Sequence, residues 1–166
     1  MLDLPRITPV LAIALLTLGI AGCRWNKERE AKAAELAETG QKMLVVKSRL
    51  WRVTELAGKP VPEDAGITVQ LLPGEDMVTT DDKVVGNTGV NQYTGGYKIA
   101  APDQVSFSNL VTTRSAGPPE AMAREQTFLN VMDQVRSFEM HEHPGHRTVD
   151  LRDAKKKIIM RAMTRD

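Results

Sequence analysis

Cysteine, aromatic residues and net charge are all scarce in this 166-residue sequence. Its single cysteine, Cys23, excludes an intramolecular disulfide and a cysteine-rich zinc site. Aromatics make up only 4%, which leaves few stacking platforms for bases or sugars and argues against a single-strand nucleic-acid binder. Lys and Arg number 22 against 21 Asp and Glu, a net charge of +1, so no overall field draws the chain to nucleic acid or to an anionic bilayer. The sequence is 42% hydrophobic, enough for one ordinary core, and Val, Leu, Ile and Met have to fill it.

The position of Cys23 is the first positive feature. Residues 1–6 form a short polar start, 7–20 are mostly apolar, and Gly19, Ala21 and Gly22 supply the small residues that a signal-peptide cleavage site requires. The apolar run is shorter than the roughly 18 residues of a spanning helix, and Pro9 confines any helix to the residues after it. Ile20-Ala21-Gly22-Cys23 resembles the bacterial lipobox, in which the cysteine sulfur is alkylated with diacylglycerol and the chain is cut before it, here between Gly22 and Cys23. The plainer alternative is a small buried thiol at the end of an N-terminal helix. The lipobox resemblance implies a membrane partner reached through palmitate-type chains on Cys23, two or three of which anchor durably. Arg24 stands where Asp would resemble an inner-membrane retention signal, so the expected location is the outer membrane, facing the periplasm.

Three segments follow: a signal peptide (1–22), a polar helical tether (23–46) and a folded body (47–166). The tether is rich in Glu, Lys and Ala, places Glu28 four residues before Lys32, and shows no apolar stripe, so it predicts a solvated helix ended by Gly40. In the body, Trp51 and Val53 lead a first strand, and Ile67, Val69 and Leu71 alternate with Thr68 and Gln70. Further short strands are expected at 77–80, 97–100, 105–110, 137–140, 148–152 and 157–163. Pro118-Pro119 opens a helix to about Val135, with Met122, Phe128, Leu129, Met132 and Val135 on one side. The fold class is therefore α+β, a small antiparallel sheet or open barrel covered by one main helix.

Gly86-Asn87-Thr88-Gly89-Val90-Asn91-Gln92-Tyr93-Thr94-Gly95-Gly96-Tyr97 resembles the signature of the META domain, familiar from heat-shock-inducible bacterial lipoproteins. Gly86, Gly89, Asn91, Gly95 and Tyr97 carry the match, and the Trp51 strand, the 112–116 stretch, the Glu-containing helix and the closing strands agree in order. The family often has cysteines where this chain has Val90 and Gly117, so the resemblance implies a disulfide replaced by packing. Physically, the glycines permit positive φ and close backbone approach, and Asn91 can bond its own backbone, which describes a structural loop. With no Lys-Ser/Thr pair and no helix opening after Gly96, a nucleotide site is rejected.

All three histidines, His141, His143 and His146, lie in one hexapeptide. If Pro144-Gly145 turns the chain, Phe138 pairs with Leu151, Met140 with Val149 and Glu142 with Arg147. The opposite face then carries Glu139, His141, His143, His146 and Asp150, a conceivable Zn, Cu or Ni site, against the plainer reading of a solvated hairpin tip. A Pro-Gly turn favours type II, whose twist suits a two-residue hairpin poorly. Ser106, Ser108 and Ser115 have no base beside them in sequence, and the Glu63-Asp64 and Asp81-Asp82 pairs sit in turns. The expectation is a non-enzymatic lipoprotein without a cofactor, acting as an interaction module with an envelope protein in envelope maintenance or stress tolerance. A metal-binding lipoprotein is the alternative.

Overall fold

The computed structural model describes residues 27–34, 45–47, 49–74, 82–101 and 103–165. The chain divides into two units, Met1–Glu38 and Thr39–Asp166. In the first, residues 27–34 form a helix with every side chain exposed, the outcome for an Ala, Glu and Lys stretch that has no apolar stripe to bury. The signal segment 1–22, Cys23, and the strand expected at 77–80 lie outside the described residues. Among the described residues no helix is long and apolar enough to cross a membrane.

The second unit contains strands β1 Leu50–Leu56, β2 Lys59–Pro60, β3 Thr68–Leu72, β4 Lys83–Asn87, β5 Gln92–Ala101, β6 Gln104–Thr112, β7 Ser137–His143, β8 His146–Arg152 and β9 Ile158–Arg165. One helix, α1 (Pro119–Gln134), joins β6 to β7. Apart from the short β2, every strand pairs antiparallel with its successor, and β9 returns to pair with β1. The sheet is therefore a closed ring rather than an open one, which removes the free edges of its first and last strands. Its narrowest join is between β6 and β7, paired only at Gln104 and Ser137.

Period-two alternation explains the interior. Trp51 and Val53 of β1, Val69 and Leu71 of β3, and Val149 and Leu151 of β8 point inward and are buried. A bulge between Val53 and Glu55 resets β1 so that Leu56 is buried as well. The packed body takes in Val46, which is buried and whose carbonyl accepts the Trp51 indole N–H at 3.0 Å.

Pro119 occupies the first turn of α1, where a missing N–H costs nothing, and Glu120 sits at the positive end. Phe128, Val131 and Met132 are buried, and the Phe128 ring lies 5.2 Å from that of Tyr93. The barrel is filled by its own side chains: the apolar space left beside Val46, Phe107 and Phe138 is about 30 Å³. That is room for a methyl-sized group rather than a ligand, and apolar walls keep such a space dry.

Candidate functional site

Only Thr88 to Asn91 of the glycine-rich segment is a loop. Gly86 and Asn87 end β4, while Gly95, Gly96 and Tyr97 belong to β5, so most of the motif is a β-hairpin. Gly86 is required by space, because a Cβ there would lie 2.0 Å from the Thr68 carbonyl oxygen on the neighbouring strand. Gly89 is required by conformation and space together: its φ is 97°, and a Cβ would meet the Ala65 oxygen at 2.7 Å. Gly95 lets β6 approach, since a Cβ would fall 2.6 Å from Leu110 Cδ2.

The loop holds a buried polar cluster. Asn91 is 2% exposed, Thr88 0% and Glu125, on α1, 7%. The Thr88 hydroxyl donates to Glu125 Oε2 and accepts from the Asn91 backbone N–H at 3.0 Å. The Asn91 amide donates to Glu125 Oε2 at 3.0 Å and to the Ser115 carbonyl at 3.2 Å. Its own oxygen accepts from the Thr113 hydroxyl and the Ser115 N–H, both at 2.7 Å. Asn91 therefore ties the β4–β5 loop to the segment before α1 and to the helix itself. A carboxylate as deeply buried as Glu125 is tolerable when donors meet its oxygens, and these do. Glu125 was not among the sequence-predicted site residues. The signal that could have found it is a charged side chain three residues before Phe128, on the apolar side of α1.

Val90 and Gly117 come together beside this cluster: a Cβ on Gly117 would sit 2.9 Å from Val90 Cγ1. The two positions at which the resemblance implied a lost disulfide are thus neighbours. Tyr97, the last residue of the motif, is buried, and its hydroxyl has no hydrogen-bond partner among the described residues. Burial first, and the negative charge of Asp82 second, push its pKa well up, so it stays neutral. Lys47 stands 5.4 Å above the Tyr97 ring and 3.4 Å from Asp82 Oδ2.

The histidine hairpin adopts the expected register, with Phe138 opposite Leu151, Met140 opposite Val149 and Glu142 opposite Arg147. Gly145 takes φ 76°, the positive angle of a type II turn, and the apolar pairs outweigh its poorer twist. The polar face, however, forms an ion network. Asp150 is 5% exposed and accepts from Arg161 Nε at 2.7 Å, Arg161 reaches Glu55 at 3.1 Å, and Arg152 holds Glu139 at 2.6 Å. Asp150 pushes the Arg161 pKa further up by hydrogen bonding and charge.

His141 Nε2 lies 3.5 Å from Asp150 Oδ2, and the His143 and His146 rings stack at 4.6 Å. Among the described residues no group of three or more His, Cys, Asp or Glu side chains is placed to hold a metal. The carboxylates face guanidinium groups instead of converging on the imidazoles. Titration with Zn²⁺ is accordingly expected to give the same binding before and after His141→Ala/His143→Ala. A histidine-dependent Kd of about 1 μM or tighter would contradict the arrangement.

The other catalytic candidates are dispersed. Ser106 and Ser108 stand opposite Lys98 and Gly96, and Ser115 serves Asn91 through its backbone. Glu63 pairs with Arg52 at 2.6 Å and Asp82 with Lys47, while Asp81 lies outside the described residues.

Comparison with known proteins agrees with this geometry. A protein from Burkholderia xenovorans solved by NMR is similar in fold, with a TM-score of 0.56 and 21% identity over 74% of this chain and 85% of that one. No curated protein sequence matches the chain. The sequence model of the META domain matches residues 44–166, a span that includes Val46, the hairpin motif, α1 and the closing strands. With that match covering most of its length, the chain belongs to the META domain family.

Proposed function

We propose that this protein is a lipid-anchored envelope protein, fixed through Cys23 to the periplasmic side of the outer membrane, whose META domain is a non-catalytic interaction module in envelope maintenance or stress tolerance. The observation that carries the anchoring is the apolar run of residues 7–20 closed by Ile20-Ala21-Gly22-Cys23 ahead of a polar helix and a folded body. Support for a binding role comes from the barrel, which is filled and in which Thr88, Asn91 and Glu125 bond one another, so recognition falls to its outer surface.

Anchoring is tested by feeding cells an alkyne analogue of palmitate and weighing the purified protein. The expected result is a chain starting at Cys23 with fatty acyl mass, and loss of label and membrane fraction in Cys23→Ala. A native protein retaining residues 1–22 without acyl mass would overturn it. The binding role is tested by crosslinking in intact cells, where a reproducible attached protein is expected. Repeated absence of one would count against the module.

A further inference from the structure

We propose that the outer face of β4, β5 and β6 around Gly96 binds a hydroxylated phosphate monoester, its phosphate held by Lys83, Lys98 and Ser108 and its hydroxyl by Tyr97 and Asp82. An open concavity of about 1010 Å³ lies there, running from that face to the rim of the barrel beside Lys47. Two features of the backbone hollow it out. Gly96 carries no side chain, and a bulge sets Asn109 and Leu110 opposite Gly95, with Asn109 at φ 54°, so β6 bends between Ser108 and Val111.

The phosphate end follows from the register. Tyr97 is buried, so its neighbours Gly96 and Lys98 point outward, and Lys83 and Ser108, both directly opposite Gly96, share that side. Lys83 and Lys98 are then diagonal neighbours, about 7 to 8 Å apart at the backbone with only a glycine between them, so both ammonium groups can reach one anion over Gly96. The Ser108 hydroxyl already leans over that spot, 3.2 Å from where a Gly96 Cβ would stand. Among the described residues neither lysine has an ion pair, and the Ser108 hydroxyl has no hydrogen bond. A phosphate monoester, with up to two negative charges and three terminal oxygens, matches two ammonium groups and a hydroxyl better than a carboxylate does.

The rim end selects a neutral group. Tyr97 is 5% exposed and lines the same concavity, and its hydroxyl is one of two buried side-chain groups without a hydrogen-bond partner among the described residues. Burial and the Asp82 carboxylate keep its proton on, so it can donate. A buried donor left unmatched destabilises the fold, and an acceptor brought by a ligand relieves it. Asp82 is balanced by Lys47 at 3.4 Å, so this end carries no net charge to attract a second anion. An alcohol suits both groups, accepting from Tyr97 and donating to Asp82. A sugar phosphate or glycerol phosphate has the required form, whether free or as the headgroup of a lipid. The site is built wholly from the barrel and stands apart from the anchoring at Cys23.

Calorimetric titration of the full chain in nonionic micelles with glycerol 3-phosphate is expected to show one site with a Kd of about 0.1 mM. Lys83→Gln/Lys98→Gln should weaken it about tenfold or more, while the remote pair Lys155→Gln/Lys157→Gln leaves it unchanged. Tyr97→Phe should weaken glycerol 3-phosphate about fivefold and leave inorganic phosphate, which reaches only the lysine end, unaffected. Lysophosphatidic acid, which carries the same phosphate and hydroxyl on an acyl chain, is the second probe. Tighter binding than glycerol 3-phosphate assigns the site to a lipid headgroup, and equal or weaker binding assigns it to a free ester. Absence of saturable binding by both probes overturns the proposal. So does binding that survives Lys83→Gln/Lys98→Gln or is indifferent to Tyr97→Phe. Should Tyr97→Phe fail to fold, the contrast between the two lysine pairs decides.

Discussion

Asn91→Ala is expected to lower the stability of the barrel by about 3 to 5 kcal/mol, read by urea unfolding, with a fall in Tm on the order of 10 to 20 °C. The magnitude comes from what the amide leaves behind. Glu125 loses the Asn91 amide donor at 3.0 Å while remaining a buried carboxylate, and Thr113 and the Ser115 N–H lose a shared acceptor at 2.7 Å. A single unsatisfied buried group costs about 1 to 3 kcal/mol, and a buried charge deprived of a partner costs more.

Glu125→Ala should be less harmful in the Asn91→Ala background than alone, because the stranded charge is then gone. The coupling in that double-mutant cycle measures the latch directly. A loss below about 1 kcal/mol for Asn91→Ala would mean that the cluster is solvated and does not join the loop to the helix.

The opposite sign is expected of Val90→Cys/Gly117→Cys. The ideal Cβ of residue 117 lies 3.6 Å from the Val90 Cβ, inside the roughly 3.5 to 4.5 Å range of disulfides, and Gly117 does not have a positive φ that a side chain would strain. Closing the loop between these positions should stabilise the domain by about 3 to 4 kcal/mol on the chain-entropy account.

The measurable outcome is a Tm that rises under oxidising conditions and falls back with reductant. The experiment is cleanest in a Cys23→Ser chain, where no third thiol can compete. Two titratable thiols persisting after oxidation would refute the geometry. Gly117→Ala alone should destabilise, since its Cβ would press on Val90 at 2.9 Å, and Val90→Ala should relieve it. Valine thus fills the volume that a sulfur bridge would occupy.

Much of the scaffold was legible residue by residue. Alternation at Ile67, Val69 and Leu71 announced β3, the apolar pairs Phe138–Leu151 and Met140–Val149 set the β7–β8 register, and Pro119 marked the start of α1. The β4 strand was not legible. It offers only Val84 and Val85 before glycine, so its strand state depends on pairing with β3 and β5 on either side.

The hairpin face taught the same lesson from its charges. Histidine and carboxylate spacing suggested ligands, but Arg161, eleven residues after Asp150, and Glu55, on the far side of the ring closure, decided how those charges are neutralised. No local window holds all three.

By itself the sequence determined the local periods, the turns, the helix start, the family motif and the lipobox-like end of the apolar run, because each depends on neighbours a few residues apart. Tertiary structure alone decided that β9 closes on β1, that Glu125 is buried against Thr88 and Asn91, and that Asp150 faces arginine. Those outcomes join residues 34 to 111 positions apart or depend on which strands are adjacent in the ring, and chain closure, not local preference, sets such contacts.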